Sequence, residues 1–290
     1  MLRSLRWLRL GCLSGTVLLV VGSLSIYLLS ERIRRRTYAE PVVAIVVPGD
    51  SQSIVEGQRL AAVRGCSGGC HGTEIEGGVL IDDPLLARVI APNLTAAVRR
   101  YSDGDLARII RQGVRPDGHS VLGMPSEMFS ALSDGDLGKI LAYLKSIPPR
   151  SGLGPEVHLG PVARVGLVTG KYHPAAEQVR RARRLSESYP GPGDSTAPGA
   201  YLARTSCTEC HGVDLRGGDR APDLRIAAGY SLDAFTRLMR QGKALGDREL
   251  PMMSPVARQR FSHFTDEELR ALYRYLIARA GMPDSSPIRR

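Results

Sequence analysis

Cysteine is scarce in this chain, with five in 290 residues, an odd number. Cys12 stands in an apolar stretch far from the other four, which form two pairs each ending in Cys-His. A structural disulfide framework therefore does not organise the protein. Strand signals are few, which leaves all-α domains as the expectation. No constellation of acid, base and nucleophile stands out, which argues against an enzyme. A basic nucleic-acid groove is also missing, although the net charge is +10. Residues 1–36 hold seven Arg against one Glu, residues 37–147 sum to −3, 148–190 to +4 and 191–290 to +3. Positive charge gathered in an N-terminal segment and a linker is not a nucleic-acid surface.

The chain is long enough for two domains of roughly 100 to 150 residues, each with its own core. Residues 1–36 stand apart from them as a targeting element. "LGCLSGTVLLVVGSLSIYLL", residues 10–29, carries no charge and is long enough to span a hydrocarbon core of ~30 Å as a helix. Arg3, Arg6 and Arg9 precede it, Trp7 and Tyr27 sit near its ends, and "SERIRRR" follows where a cleavage site would need small residues. An uncleaved signal anchor is the expectation, with Cys12 one of its apolar residues.

An internal repeat governs the remainder. "CHGTEIEGG" (70–78) recurs as "CHGVDLRGG" (210–218) at an offset of 140, and "APNL" (91–94) recurs as "APDL" (221–224) at an offset of 130. "YSDGDLARIIRQG" (101–113) returns at an offset of 129 and "FSALSDGDLGKILAYL" (129–144) at 132. Four blocks in one order make two copies of one domain. In the last block Leu137, Ile140, Leu141 and Leu144 fall on one helical face, as do Leu269, Leu272, Tyr273 and Leu276. "SDGD" and "TDEE" supply N-caps, with Thr265 and Glu268 spaced as a capping box.

"CTECH", residues 207–211, has the C-x-x-C-H spacing of covalent haem attachment, in which both thiols form thioethers and the histidine ligates iron. A thioredoxin-like redox pair is the competing reading, and it needs a βαβ setting that is not visible. In the first copy three residues separate Cys66 from Cys70, ahead of His71. Gly68 and Gly69 can bulge the extra residue outward. A haem is expected there as well, the alternatives being attachment through Cys70 alone or no haem.

With these motifs the chain resembles the class I cytochrome c family, in particular membrane-anchored multihaem cytochrome subunits of periplasmic dehydrogenases. The resemblance covers residues ~54–147 and ~195–280. It implies an all-α architecture of two tandem cytochrome c domains, at 54–147 and 195–280, joined by a Pro/Gly-rich linker at 148–194 and preceded by the 1–36 anchor. It implies two covalently bound haem c groups, held by Cys66, Cys70 and His71 and by Cys207, Cys210 and His211. Pro92 and Pro222 would accept a hydrogen bond from the axial histidines. Gly57 with Tyr143, and Gly199 with Tyr275, would mark where the first and last helices of each domain cross. "APDL" departs from the pattern at Asp223.

A methionine is the expected sixth ligand, because a thioether raises the iron potential. The pattern singles out Met124 in the first copy, 11 residues after Gly113, and Met253 lies 11 residues after Gly242. That register selects Met253 over Met252. Met128 and Met239 read as packing residues, and His119, His158, His173 and His263 as surface or linker, with His119 the only competitor for iron. "RRARR" (180–184) reads as a solvated helix face or a lipid-headgroup contact, and the linker as an ordered connector whose middle can form a short amphipathic helix.

The expected function is electron transfer between a periplasmic dehydrogenase and a downstream acceptor, a quinone pool or an oxidase, without catalysis of its own. The alternative is a dihaem enzyme such as a cytochrome c peroxidase, which needs an open iron position. Covalent haem of this type belongs outside the cytoplasm, as the resemblance implies, so residues 37–290 are expected in the periplasm, tethered to the inner membrane.

Overall fold

The computed structural model describes residues 2–185, 189–190, 193–218 and 221–282. The side chains of residues 2–10, Arg3, Arg6, Trp7 and Arg9 among them, and linker residues 186–188 and 191–192 lie outside that description. The first helix, α1 (Leu2–Arg34), has no buried stripe over its apolar part. Over its most apolar 18-residue stretch, the segment Gly11–Arg34 has a mean hydropathy of 2.1. At ~1.5 Å per residue it is long and apolar enough to cross a membrane. Past it the chain runs extended as a strap, with Tyr38 buried and Ile45 and Val47 packed against the first helical core.

That core is built by α2 (Ser51–Val63), α3 (Leu94–Arg100), α4 (Asp103–Gln112), α5 (Ser126–Phe129) and α6 (Asp134–Ser146). The sequence starts four of these helices, all but α5, where a side-chain oxygen can take an unpaired amide. Asp50, Asn93, Ser102 and Ser133 each accept from the first turn, an arrangement worth about 1 kcal/mol per cap. Leu60, Met128, Leu137, Ile140 and Leu141 fill the space between them.

The linker contributes α7 (Pro161–Val168) and α8 (Ala175–Leu185). In α8 the basic run is ion-paired to a large extent: Arg180 and Arg183 reach Glu40 of the strap, and Arg181 reaches Glu177. A second core follows, from α9 (Ala197–Ser206), α10 (Thr208–His211), α11 (Leu232–Gln241), α12 (Met253–Gln259) and α13 (Asp266–Ala280). Thr265 and Glu268 form the capping box of α13. Ala203, Phe264, Leu269 and Leu272 lie at the centre of this core.

The all-α expectation needs correcting to mostly helical. Strands β1 (Gly78–Asp83), β2 (Ala87–Ala91) and β3 (Glu156–Leu159) form an antiparallel sheet in that order. The hairpin β1–β2 lies between the two blocks whose offset drops from 140 to 130, so it is the extra chain of the first copy. Its strands are short and one is largely exposed, so neither alternation nor burial marks them in the sequence.

In both units the first and last helices cross at a glycine. A Cβ at Gly57 would lie 1.9 Å from the carbonyl oxygen of Lys139, and one at Gly199 would lie 2.1 Å from that of Ala271, with Tyr143 and Tyr275 beside them. Backbone meets backbone there, and nothing flexible can yield. Gly57→Ala and Gly199→Ala are each expected to cost about 2–3 kcal/mol or more. Gly135→Ala, on α6 with open space around it, should stay within about 1 kcal/mol of the parent. Urea unfolding followed by far-ultraviolet circular dichroism measures the difference.

Candidate functional site

The two Cys-His segments leave helices of the same kind. α9 ends at Cys207, and Cys207, Cys210 and His211 are then wound into a single turn, with the His211 amide donating to the Cys207 carbonyl at 3.0 Å. In the first unit the added residue forms a small glycine loop. Gly68 adopts φ +70°, with open space at its Cβ position, and its amide reaches the Gly72 carbonyl at 3.1 Å. The extra length therefore projects outward and leaves Cys66 and Cys70 on either side of it.

After each histidine the backbone repeats a rare conformation. Ile75 and Leu215, both fully buried, take left-handed φ values of 60° and 58°. A branched side chain there costs about 1–3 kcal/mol. The same loop in each unit ties the histidine carbonyl to Gly77 or Gly217 and ties Ile75 or Leu215 to Leu94 or Leu224. The loops bring His71 Nδ1 to 2.8 Å from the Pro92 carbonyl and His211 Nδ1 to 2.8 Å from that of Pro222. With Nδ1–H donating to a carbonyl, Nε2 carries the lone pair and can act as an iron ligand. Burial lowers the pKa of both rings and so favours the neutral form, which is the one that binds metal.

Cys66, Cys70, Cys207 and Cys210 are half-buried. Burial pushes the Cys66 thiol up to about 11 and Cys207 up to about 12, with Arg260 and Arg64 pulling both the other way. A redox C-x-x-C pair needs the opposite, a thiol with lowered pKa. The donor set suits haem: two half-buried thiols and a neutral histidine with its free nitrogen fixed, in each unit. Met124 lies in the loop before α5 and packs against the first core, and Met253 opens α12 and packs against the second. Met252 beside it is 54% exposed. Met128 and Met239 are buried packing residues.

The remaining histidines lie elsewhere. His119 forms an isolated antiparallel bridge with Thr37 of the strap and faces Asp117, His158 sits exposed on β3, His173 contacts Arg181, and His263 lies in the turn before α13. Among the described residues no group of three or more His, Cys, Asp or Glu side chains is placed to hold a metal ion.

Sequence reasoning missed the joint between the units. Arg64, immediately before the Cys66 segment, is 2% exposed. Its Nη2 donates to Thr205 Oγ1 at 3.2 Å and lies 3.5 Å from Asp136, which also accepts from the Tyr201 hydroxyl at 2.5 Å. Arg260 donates to the Val63 carbonyl and pairs with Glu209 at 3.0 Å, and Arg59 forks onto Glu268. Val63, the end of α2, is fully buried in the second core. No periodicity announces such contacts. The left-handed pair falls at equivalent positions of "CHGTEI" and "CHGVDL", but no residue type there announces a left-handed backbone.

Residues 196–278 match the family model for cytochrome c, so the second unit is a class I cytochrome c domain, which implies at least one covalently bound haem c. The chain is 22% identical, over 82% of its length and 55% of the relative's, to the fructose dehydrogenase cytochrome subunit of Gluconobacter japonicus. It is 24% identical, over 78% of its length, to the cytochrome c subunits of alcohol dehydrogenase (quinone) from Gluconobacter oxydans (strain 621H) and Gluconacetobacter polyoxogenes. The chain spans about half the length of the curated relatives it matches.

Glu127 on α5 faces the joint. Burial, aided by Glu209, raises its carboxyl from 4.5 to about 7, and its Oε2 makes no hydrogen bond among the described residues. The folded protein therefore keeps this proton over a range in which the unfolded chain has released it. Stability should fall as pH rises from about 4.5 to about 7. Glu127→Gln removes that contribution, so urea midpoints measured at acidic and mildly alkaline pH should differ less in the variant than in the parent.

Proposed function

We propose that the chain is a membrane-anchored dihaem cytochrome c that carries single electrons from a periplasmic dehydrogenase to a quinone pool or oxidase, with no catalytic chemistry of its own. One observation carries the reading. Each unit presents a histidine whose Nδ1 is committed at 2.8 Å to a proline carbonyl, directly after a half-buried pair of cysteines. The relatives named as dehydrogenase cytochrome subunits supply the partner class.

Cys66, Cys70 and His71 hold one group, and Cys207, Cys210 and His211 the other. Pro92 and Pro222 orient the histidines, and Met124 and Met253 offer sulfur. Bound haem supplies one-electron chemistry at iron, at a potential that a thioether ligand raises. α1 spans the inner membrane, with residues 37–290 in the periplasm.

Purified protein is expected to carry two haems per chain that resist acid and organic extraction, counted by intact mass and by pyridine haemochrome. A mass with one haem sinks the reading for the first unit. Met253→Ala should remove the sulfur-to-iron absorption band of the second haem and lower its potential, whereas Met252→Ala should leave both in place. The reverse result would assign the ligand to Met252.

A further inference from the structure

The hairpin β1–β2 carries none of the residues assigned to haem and has no counterpart in the second unit among the described residues. Its turn is unusual in composition. Hairpin tips in water are polar, yet Asp83 Oδ1 accepts the amides of Leu85 and Leu86 at 2.8 and 2.9 Å and holds both leucines at the apex. Leu85 is 64% exposed and Leu86 42%.

This tip is fastened to α7. The Gly160 amide donates to the Leu86 carbonyl at 2.9 Å and the Val162 amide to that of Leu85 at 3.0 Å. α7 buries Ala163 and Leu167 and turns Val162 (56% exposed) and Val165 (41%) outward. α7 is in turn docked on the end of α1. Arg164 Nη1 donates to Ser30 Oγ at 2.9 Å and lies 3.4 Å from Glu31, and its guanidinium carbon sits 4.4 Å from the centre of the Tyr27 ring. Tyr27 lies one turn deeper in the apolar span than Glu31, so α7 is held at the level where the span ends.

We propose that the Leu85–Leu86 tip and the Val162–Val165 face of α7 form a second membrane contact, an interfacial patch resting in the lipid surface beside α1. The proposal rests on the reading that α1 crosses the membrane. Water is the alternative surroundings, and four exposed aliphatic side chains beside a transmembrane helix are poorly suited to it. An amphipathic element at the headgroup level buries such a face at little cost in polar desolvation. Arg164 then serves two functions. It joins Arg34 and Arg35 around Glu31 at the boundary, and its cation over Tyr27 adds a contact between α7 and α1.

The test uses the full-length holoprotein in phosphatidylcholine vesicles containing a lipid with a photoactivatable acyl chain, with the adducts mapped by mass spectrometry. Adducts are expected on α1, on the peptide spanning 84–86 and on the peptide spanning 161–166, and not on exposed Val55 of α2. In the double variant Leu85→Asp, Leu86→Asp the adducts at 84–86 should disappear while those on α1 persist. Labelling of α1 with none on the two peptides would overturn the proposal and leave the span intact. Labelling of neither would overturn both. Labelling of Val55 to the same extent as the tip would show that the patch is not selective and would overturn it too.

Discussion

The histidine ring held at 2.8 Å from a proline carbonyl is the constraint on which both units depend. It joins two points of the chain, 21 residues apart in one unit and 11 in the other. The ends of that loop are pinned, one by the cysteine turn and one by the cap of the following helix, Asn93 or Asp223. The length of chain between them is not fixed by that contact. A hairpin can be accommodated in the first unit because the backbone leaves the loop at Gly77 and returns at Ala91 without moving either end. The left-handed residues Ile75 and Leu215 set the exit direction, which accounts for a strained conformation being present in both.

Much of this was legible in the sequence, and the reasons are physical. The final helices carry their periodicity and caps on the surface of the text: Leu137, Ile140 and Leu141 on one face behind Ser133, and Leu269 and Leu272 behind Thr265. The glycine crossings followed from the family resemblance, and the structure shows the close approach at Gly57 and Gly199. What stayed hidden depends on partners distant in the chain. β2 pairs with β3 across more than sixty residues, Ala87 opposite Leu159, and no local pattern in "EVHL" reports that. The "DDPLLA" turn lacks the Asn-Gly or Asp-Gly pair that signals a tight hairpin. Nothing in the sequence distinguishes Arg64 from a surface cation, and only its setting against Thr205, Asp136 and Tyr201 makes it a buried one.

The joint also sets the electrostatics around the cysteines. Desolvation is the larger influence on Cys66 and Cys207, and the same two guanidiniums, Arg260 and Arg64, oppose it at both. Two sites influenced by one pair of charges are not electrically independent. Burying a cation in this way is expensive unless it is paired. Asp136 and Glu209 supply the counter-charges from opposite sides of the interface.

That interface has a consequence for the linker. A tether fixes only how often two bodies meet, through an effective concentration that falls as the tether lengthens; a packed joint fixes how they face each other. With Val63 sunk in the second core, and with Arg59 reaching Glu268, Arg64 reaching Thr205 and Arg260 reaching the Val63 carbonyl across the gap, the spacing of the two Cys-His segments belongs to the joint. The connecting residues are released from that duty. They are free to supply an edge strand to the first unit and a seat for the N-terminal helix, so one stretch of chain gives the molecule its orientation while another gives it its internal distance.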